Sequence, residues 1–225
     1  MFLDDRKKRI LQTIVDYYID SAEPIASKMI ANDYGLELSS ATIRNEMAEM
    51  EEMGLLEKTH TSSGRIPSDL GYRYYVDDIM DTNNVSDEEI SEFLDYLSKG
   101  DKDPLQKATM ALSGVTHYTS ISKDEDGIFL YGRNNIFDYP EFNDIENLRK
   151  FMYMLEEEEL LKGLFDEPYD SEITVKIGKE NSIEEFKDYG VIVFPYKDKG
   201  DIAIIGPKRM DYSKVVSYAK KLLKE

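Results

Sequence analysis

At 225 residues with 41% apolar content, the chain has room for one large domain or two smaller ones around a buried core. No apolar run approaches the 18 residues a bilayer span needs, the longest candidate lying around Val191-Ile192-Val193-Phe194, and Met1-Phe2-Leu3 runs straight into charge, so a cytoplasmic location with no membrane partner is expected. With no cysteine there are no disulfides, thiolate metal sites or cysteine nucleophiles.

The net charge of −18 argues against a nucleic-acid partner, because DNA binders usually carry a basic footprint that releases counterions from phosphate. The charge is unevenly placed, however. Residues 1–75 hold 9 Lys/Arg against 13 Asp/Glu, and residues 76–225 hold 19 against 33. Within the first segment the acids bunch at Glu49, Glu51, Glu52 and Glu57, apart from Arg44, Lys58, His60, Arg65 and Arg73.

In chain order, Ile10, Leu11, Ile14, Val15, Tyr18 and Ile19 recur at helical spacing and predict a first helix over 3–20. Glu23-Pro24 breaks the pattern and offers proline as a helix start, with Ile25, Met29 and Ile30 continuing to a stop at Gly35. Ser39-Ser40 supplies hydroxyl caps for a third helix from Ala41 to Met53, its inward face Ile43, Met47 and Met50, ended by Gly54. Leu55 to Pro67 reads as a short hairpin around a polar turn, and 68–81 as a linking helix. Ser86 with Glu89 makes a capping box for a helix to about Ser98.

Beyond Pro104 the types mix. The patterns predict a helix at 104–113, a strand near 117–122, an Asp126-Gly127 turn and a strand at 128–131. Helices at 143–156 and 158–165 and a strand at 172–177 follow. A short helix capped by Ser182 with Glu185, a hairpin of 190–196 with 201–205, and a terminal helix from Asp211 complete an α+β chain with antiparallel strands. The expected organisation is 1–80 as a winged helix-turn-helix, 81–116 as a helical linker and 117–225 as an α+β regulatory or dimerisation domain.

Three helices and a hairpin in this order suit DNA, because the second helix of a helix-turn-helix pair presents its N-terminal side chains to base edges in the major groove. Ser39 or Ser40 can cap the helix and contact phosphate, where the helix dipole assists. Thr42, Arg44 and Asn45 are candidates for base edges, since arginine pairs well with guanine and asparagine with adenine. Lys58, His60, Thr61, Ser62 and Arg65 of the hairpin, with Arg73 beyond it, are candidates for the flanking backbone or minor groove, and Gly64 permits close main-chain approach. The rival reading is a structural three-helix module in which the serines are only caps and Arg44 pairs with Glu37 or Glu49.

The stretch SSATIRNEMAEMEEMGLLEKTHTSSGRIPSDLGYRYYVD resembles the N-terminal signature of the HrcA family of heat-inducible transcription repressors. The likeness spans about residues 3–80 and resumes in GIFLYGRNNIFDYPEFNDIENLRKFMYMLEEEELLKGLF, ITVKIGKENSIEEFKDYGVIVFPYK and IGPKRMDYSKVV. The resemblance implies a dimeric repressor of chaperone operons that binds an inverted-repeat operator, is supported by the chaperonin and loses activity on heating. It also implies a GAF-like second domain. Between about Ile121 and Gly127, where this chain has only SKDED, family members carry further strands and an inserted dimerising domain, so the GAF-like domain here is a reduced one.

No enzyme is expected. His60 and His117 lack ligand spacing, Tyr131-Gly132-Arg133-Asn134-Asn135 lacks a phosphate-loop pattern, and no catalytic triad is present, so neither metal nor cofactor is implied. Tyr72, Tyr74 and Tyr75 fit core packing better than a ligand pocket. Lys208 and Arg209 precede a helix start and could take an anion, although a solvated loop with an Asp211 cap is the simpler reading. The functional alternative to a repressor is an interaction or sensor module that dimerises or docks a chaperone without touching DNA.

Overall fold

The structure is a computed structural model that describes residues 2–59, 64–83, 85–166 and 171–224. It divides into two compact units, Met1–Asp81 and Thr82–Glu225. Among the described residues no helix is long and apolar enough to cross a membrane.

The first unit opens with α1 (Asp5–Ser21), started by Asp4, whose carboxylate accepts from Lys7 N at 2.8 Å. Its predicted stripe buries Ile10, Leu11, Ile14 and Val15, while Tyr18 and Ile19 stay half-exposed. The second helix, α2 (Ser27–Asp33), begins later than Pro24 suggested. The cause lies 40 residues away: Ile25 exchanges backbone hydrogen bonds with Arg65 (3.1 and 3.0 Å), which holds it extended. α3 (Ser40–Glu52) buries Ile43, Met47 and Met50 as predicted, and Gly54 leaves the helix at φ 77°.

The wing strands β1 (Leu56–Lys58) and β2 (Arg65–Pro67) pair antiparallel with Lys58 opposite Arg65, and Ile25 adds a third short rung. α4 (Asp69–Asp78) closes the unit. Its tyrosines are core residues: Tyr74 Oη accepts from Leu3 N (3.1 Å), and Tyr75 Oη donates to Asp16 (3.2 Å), so the polar ends of these two are satisfied at the edge of a packed ring.

The second unit begins with α5 (Asp87–Ser98), opened by the predicted Ser86/Glu89 capping box, and α6 (Pro104–Thr116). Both fall in the span read from sequence as a linker. They pack on each other, and α6 also packs on the sheet that follows. The strands are β3 (Thr119–Lys123), β4 (Ile128–Tyr131), β5 (Thr174–Ile177), β6 (Tyr189–Pro195) and β7 (Asp201–Pro207), in the antiparallel order β4-β3-β7-β6-β5. Helices α7 (Ile145–Glu156) and α8 (Glu158–Asp166) cover one face, where Phe151, Met154 and Leu161 meet Ile121, Val191, Val193 and Ile205. Alternate residues such as Ile192 and Ile204 are equally buried on the other face, against α6 and the terminal α9 (Tyr212–Lys224).

Between β3 and β4 the chain turns back in four residues, with Asp124 Oδ1 accepting from Asp126 N (2.8 Å) and Gly127 N (3.1 Å). Two expectations are corrected in this unit. The helix expected after Ser182 is a single 3-10 turn, Glu184–Phe186, with no side-chain cap. Buried Asn181 organises it instead, donating to the carbonyls of Gly178, Phe186 and Tyr189 at 2.9, 3.1 and 3.3 Å. Arg209, expected in a solvated loop, is buried and ion-paired with Glu141, while Asp211 does cap α9 through Lys214 N (2.8 Å).

One acid-sensitive tie follows from this packing. Lys214 Nζ lies 2.7 Å from Glu89, whose carboxylate also accepts from Ser86 N at 3.0 Å. The Lys214 ammonium, and then the Ser86 N–H, hold the Glu89 pKa down at about 2, against an ordinary 4.5. A depressed carboxylate contributes stability above its unfolded pKa and loses it as pH falls toward the folded one. Urea midpoints should therefore drop between pH 4.5 and 2 more steeply in the unaltered chain than in Glu89→Gln. Parallel profiles would contradict the tie.

Candidate nucleic-acid interface

The exposed start of α3 is built by its cap. Ser39 Oγ accepts from Thr42 N at 3.0 Å and lies 2.9 Å from Thr42 Oγ1, so Ser39 is the N-cap and Ser40 is the first helical residue. Both serines are exposed, and Thr42 is half-buried with its hydroxyl on Ser39. The N–H groups of this first turn lack intrahelical acceptors and carry the positive end of the helix dipole. Ser39→Ala removes the cap and should cost about 1 kcal/mol. Urea unfolding of the chain reads it, and an unchanged midpoint would show that the cap is dispensable.

Arg44 and Asn45 project from the next half-turn into solvent. Among the described residues neither makes a hydrogen bond or ion pair with another side chain. The acids considered as partners for Arg44 are elsewhere: Glu49 pairs with Lys7 of α1 (3.0 Å), and Glu37 sits in the preceding loop at φ 52°. Lys58, at the end of β1, is also exposed.

The remaining candidates differ in their surroundings. Arg65 is mostly buried, with Nε and Nη2 both 2.7 Å from Glu51 Oε2, so its guanidinium ties β2 to α3. Arg73 on α4 pairs with Asp77 at 3.0 Å, one turn along its own helix. Gly64 does make a close approach, but to this chain: a Cβ there would lie 2.8 Å from Pro24 Cβ. His60, Thr61 and Ser62 lie outside the described residues.

A residue that the sequence reading passed over is Glu46. It follows Arg44-Asn45, yet it is only 8% exposed. Arg6 Nη1 lies 3.0 Å from one carboxylate oxygen and Lys7 Nζ 2.8 Å from the other. The Lys7 ammonium, followed by the Arg6 donor, shifts the Glu46 carboxyl below its usual range, and Glu46 and then Glu49 push the Lys7 ammonium above its own. A signal was available: 43, 46, 47 and 50 form one helical stripe, so position 46 faces inward with the apolar residues. With Arg65 on Glu51, cations of α1 and β2 thus neutralise three of the four acids on α3. The acid-rich helix can thereby present an electropositive leading end.

Two family descriptions together span nearly the whole chain. The description "Winged helix-turn-helix transcription repressor, HrcA DNA-binding" matches residues 2–75, and "HrcA protein C terminal domain" matches residues 83–216. A protein of Acetivibrio thermocellus named heat-inducible transcription repressor HrcA is 31% identical over 338 aligned positions, covering 100% of this chain and 96% of that protein. A protein of the same name from Clostridium tetani is 32% identical over 335 positions, covering 100% and 95%. Both aligned spans exceed the 225 residues present here, so the relatives carry residues without a counterpart in this chain.

A crystal structure described as that of a hypothetical protein superposes with a TM-score of 0.75 at 17% identity, covering 99% of this chain and 97% of that one. That likeness speaks to the fold, which is α+β, a winged helix followed by a reduced GAF-like domain. On the two family matches and the full-length relatives, the chain belongs to the HrcA family of heat-inducible transcription repressors.

Proposed function

We propose that this chain is a sequence-specific DNA-binding transcriptional repressor, with residues 1–80 as the reader and the remainder as the regulatory and dimerisation part. The observation that carries the reading is the leading end of α3: exposed Arg44 and Asn45 directly follow a capped first turn and are left without protein partners among the described residues. In this reading Arg44 and Asn45 address base edges, while Ser39, Ser40 and Thr42 face phosphate. Lys58, with His60, Thr61 and Ser62, takes the flanking backbone. Arg65 acts through Glu51 by fixing the wing, and Arg73 lies at the periphery. A homodimer sets two readers about one helical turn, or a multiple, apart on an inverted repeat. The named activity of the relatives supports heat as the inducing signal, and chaperonin support of the active form belongs to the same reading.

Gel shift and fluorescence anisotropy across a salt series test it. The chain should prefer an inverted-repeat duplex over random duplex at moderate salt. Arg44→Ala should cost about 1–3 kcal/mol and relax base preference, whereas Lys58→Ala should weaken binding to all sequences and reduce the salt slope by about one. No preference in the unaltered chain would contradict the repressor reading and favour an interaction module.

A further inference from the structure

We propose that Glu46, clamped between Arg6 and Lys7, is a positioning residue that sets the roll of α3 and thereby the aim of Arg44 and Asn45, without touching DNA itself. The inference rests on the DNA-binding reading above.

The buried stripe of Ile43, Met47 and Met50 fastens α3 to the unit and sets its inward face, while the hydrophobic effect itself is non-directional, so polar ties refine the roll. The Glu46 carboxylate adds two polar ties from α1, a hydrogen bond from Arg6 on one oxygen and an ion pair with Lys7 at the other. Arg6 Nη1 takes Oε1 at 3.0 Å and Lys7 Nζ takes Oε2 at 2.8 Å. Lys7 is itself fixed by Glu49 of α3 at 3.0 Å and faces Asp4, the cap of α1, at 3.9 Å. The first turn of α1 is therefore keyed to the middle of α3 through a mostly buried ammonium. Side chains on a helix stand about 5–6 Å from its axis, so a roll of about 20° carries their tips about 2 Å, enough to lose a bidentate base contact. Glu46 is also the acid adjacent in sequence to the proposed reading residues. Turned inward and neutralised, it does not oppose phosphate there.

The test uses the full chain and anisotropy with an inverted-repeat duplex and a random duplex, each across a salt series. The variants are Lys7→Met, Glu46→Gln, their double, and Lys7→Arg. Each single loss should lower inverted-repeat affinity about tenfold, leave random-duplex affinity and the salt slope unchanged, and so compress the specificity ratio. The double should lose no more than either single, because either change already breaks the link. Lys7→Arg should retain most of the affinity. Denaturation midpoints establish that each variant is folded, and if Lys7→Met is not, Glu46→Gln and Lys7→Arg decide.

Three results would overturn the proposal: a salt slope lowered by about one in Lys7→Met, which marks a phosphate contact; losses that add in the double; or singles that bind as the unaltered chain does. Failure of the unaltered chain to prefer the inverted repeat overturns the DNA-binding reading, and this inference with it. Normal preference with neutral variants overturns this inference alone.

Discussion

Gly71→Ala should destabilise the reader unit by about 3 kcal/mol, at the upper end of what over-packing costs, and abolish DNA binding at temperatures where the unaltered chain still binds. The sign is not obvious from sequence, since alanine is the better helix former by about 1 kcal/mol and Gly71 lies within α4. Sterics decide it. A Cβ at position 71 would sit 2.1 Å from the carbonyl oxygen of Leu55, a backbone atom that already accepts from Ser68 N at 3.0 Å. Relief requires α4 to back away from the start of the wing. That motion would also stretch the bond from Ser68 Oγ, the cap of α4, to Gly54 O (2.6 Å), and it would loosen buried Tyr72 and Tyr75. Urea unfolding of the full chain, paired with anisotropy on duplex DNA, measures both consequences. A midpoint at or above that of the unaltered chain would show that α4 does not approach Leu55 this closely.

Gly71 marks the boundary between what was legible in the sequence and what was not. Features fixed by residues a few positions apart could be read directly: the α1 stripe from Ile10 to Val15, the Ser39 cap, the Ser86/Glu89 box and the strand at Ile128–Tyr131. These signals are local, and nothing distant competes with them. The misreadings have distant causes. Pro24 is a sound helix start by local rules, but the main chain of Ile25 is claimed by Arg65, so α2 waits until Ser27. Ser182 and Glu185 resemble a capping pair, but Asn181 gathers three carbonyls and the burial of Phe186 shapes the turn.

The candidate interface divides in the same way. Ser39, Arg44 and Asn45 could be located from helix periodicity and capping alone. That Arg65 faces Glu51, or that Glu46 turns inward to α1, depends on how elements pack, and single-sequence charge counts treat all these groups as solvated. The apparent conflict between a net charge of −18 and a DNA reader eases at that level, because the cations of α1 and β2 neutralise the acids of α3 and leave Arg44 exposed.

Glu141→Ala should cost the second unit about 3–5 kcal/mol, whereas Arg209→Met should cost far less. Arg209 is 7% exposed, its Nε donates to Glu141 Oε1, its Nη2 donates to Oε2 at 3.0 Å, and its guanidinium lies 5.6 Å from the centre of the Tyr139 ring. Tyr139 in turn stacks on Tyr118 and donates to the His117 carbonyl at 3.0 Å, while Tyr118 Oη accepts from Asp211 N at 2.8 Å. The pair thus fastens the 3-10 segment after β4 to the loop between β7 and α9. Removing the carboxylate strands a guanidinium that cannot give up its proton, and burial without a counter-charge is the expensive case. Replacing the cation with methionine fills similar volume without a charge, and the Glu141 carboxylate, about a third exposed, can then take water. Urea midpoints of the two variants measure the asymmetry directly. Equal, small losses would mean that Arg209 reaches solvent after all and that the loop is held by Tyr118 and Asp211 alone.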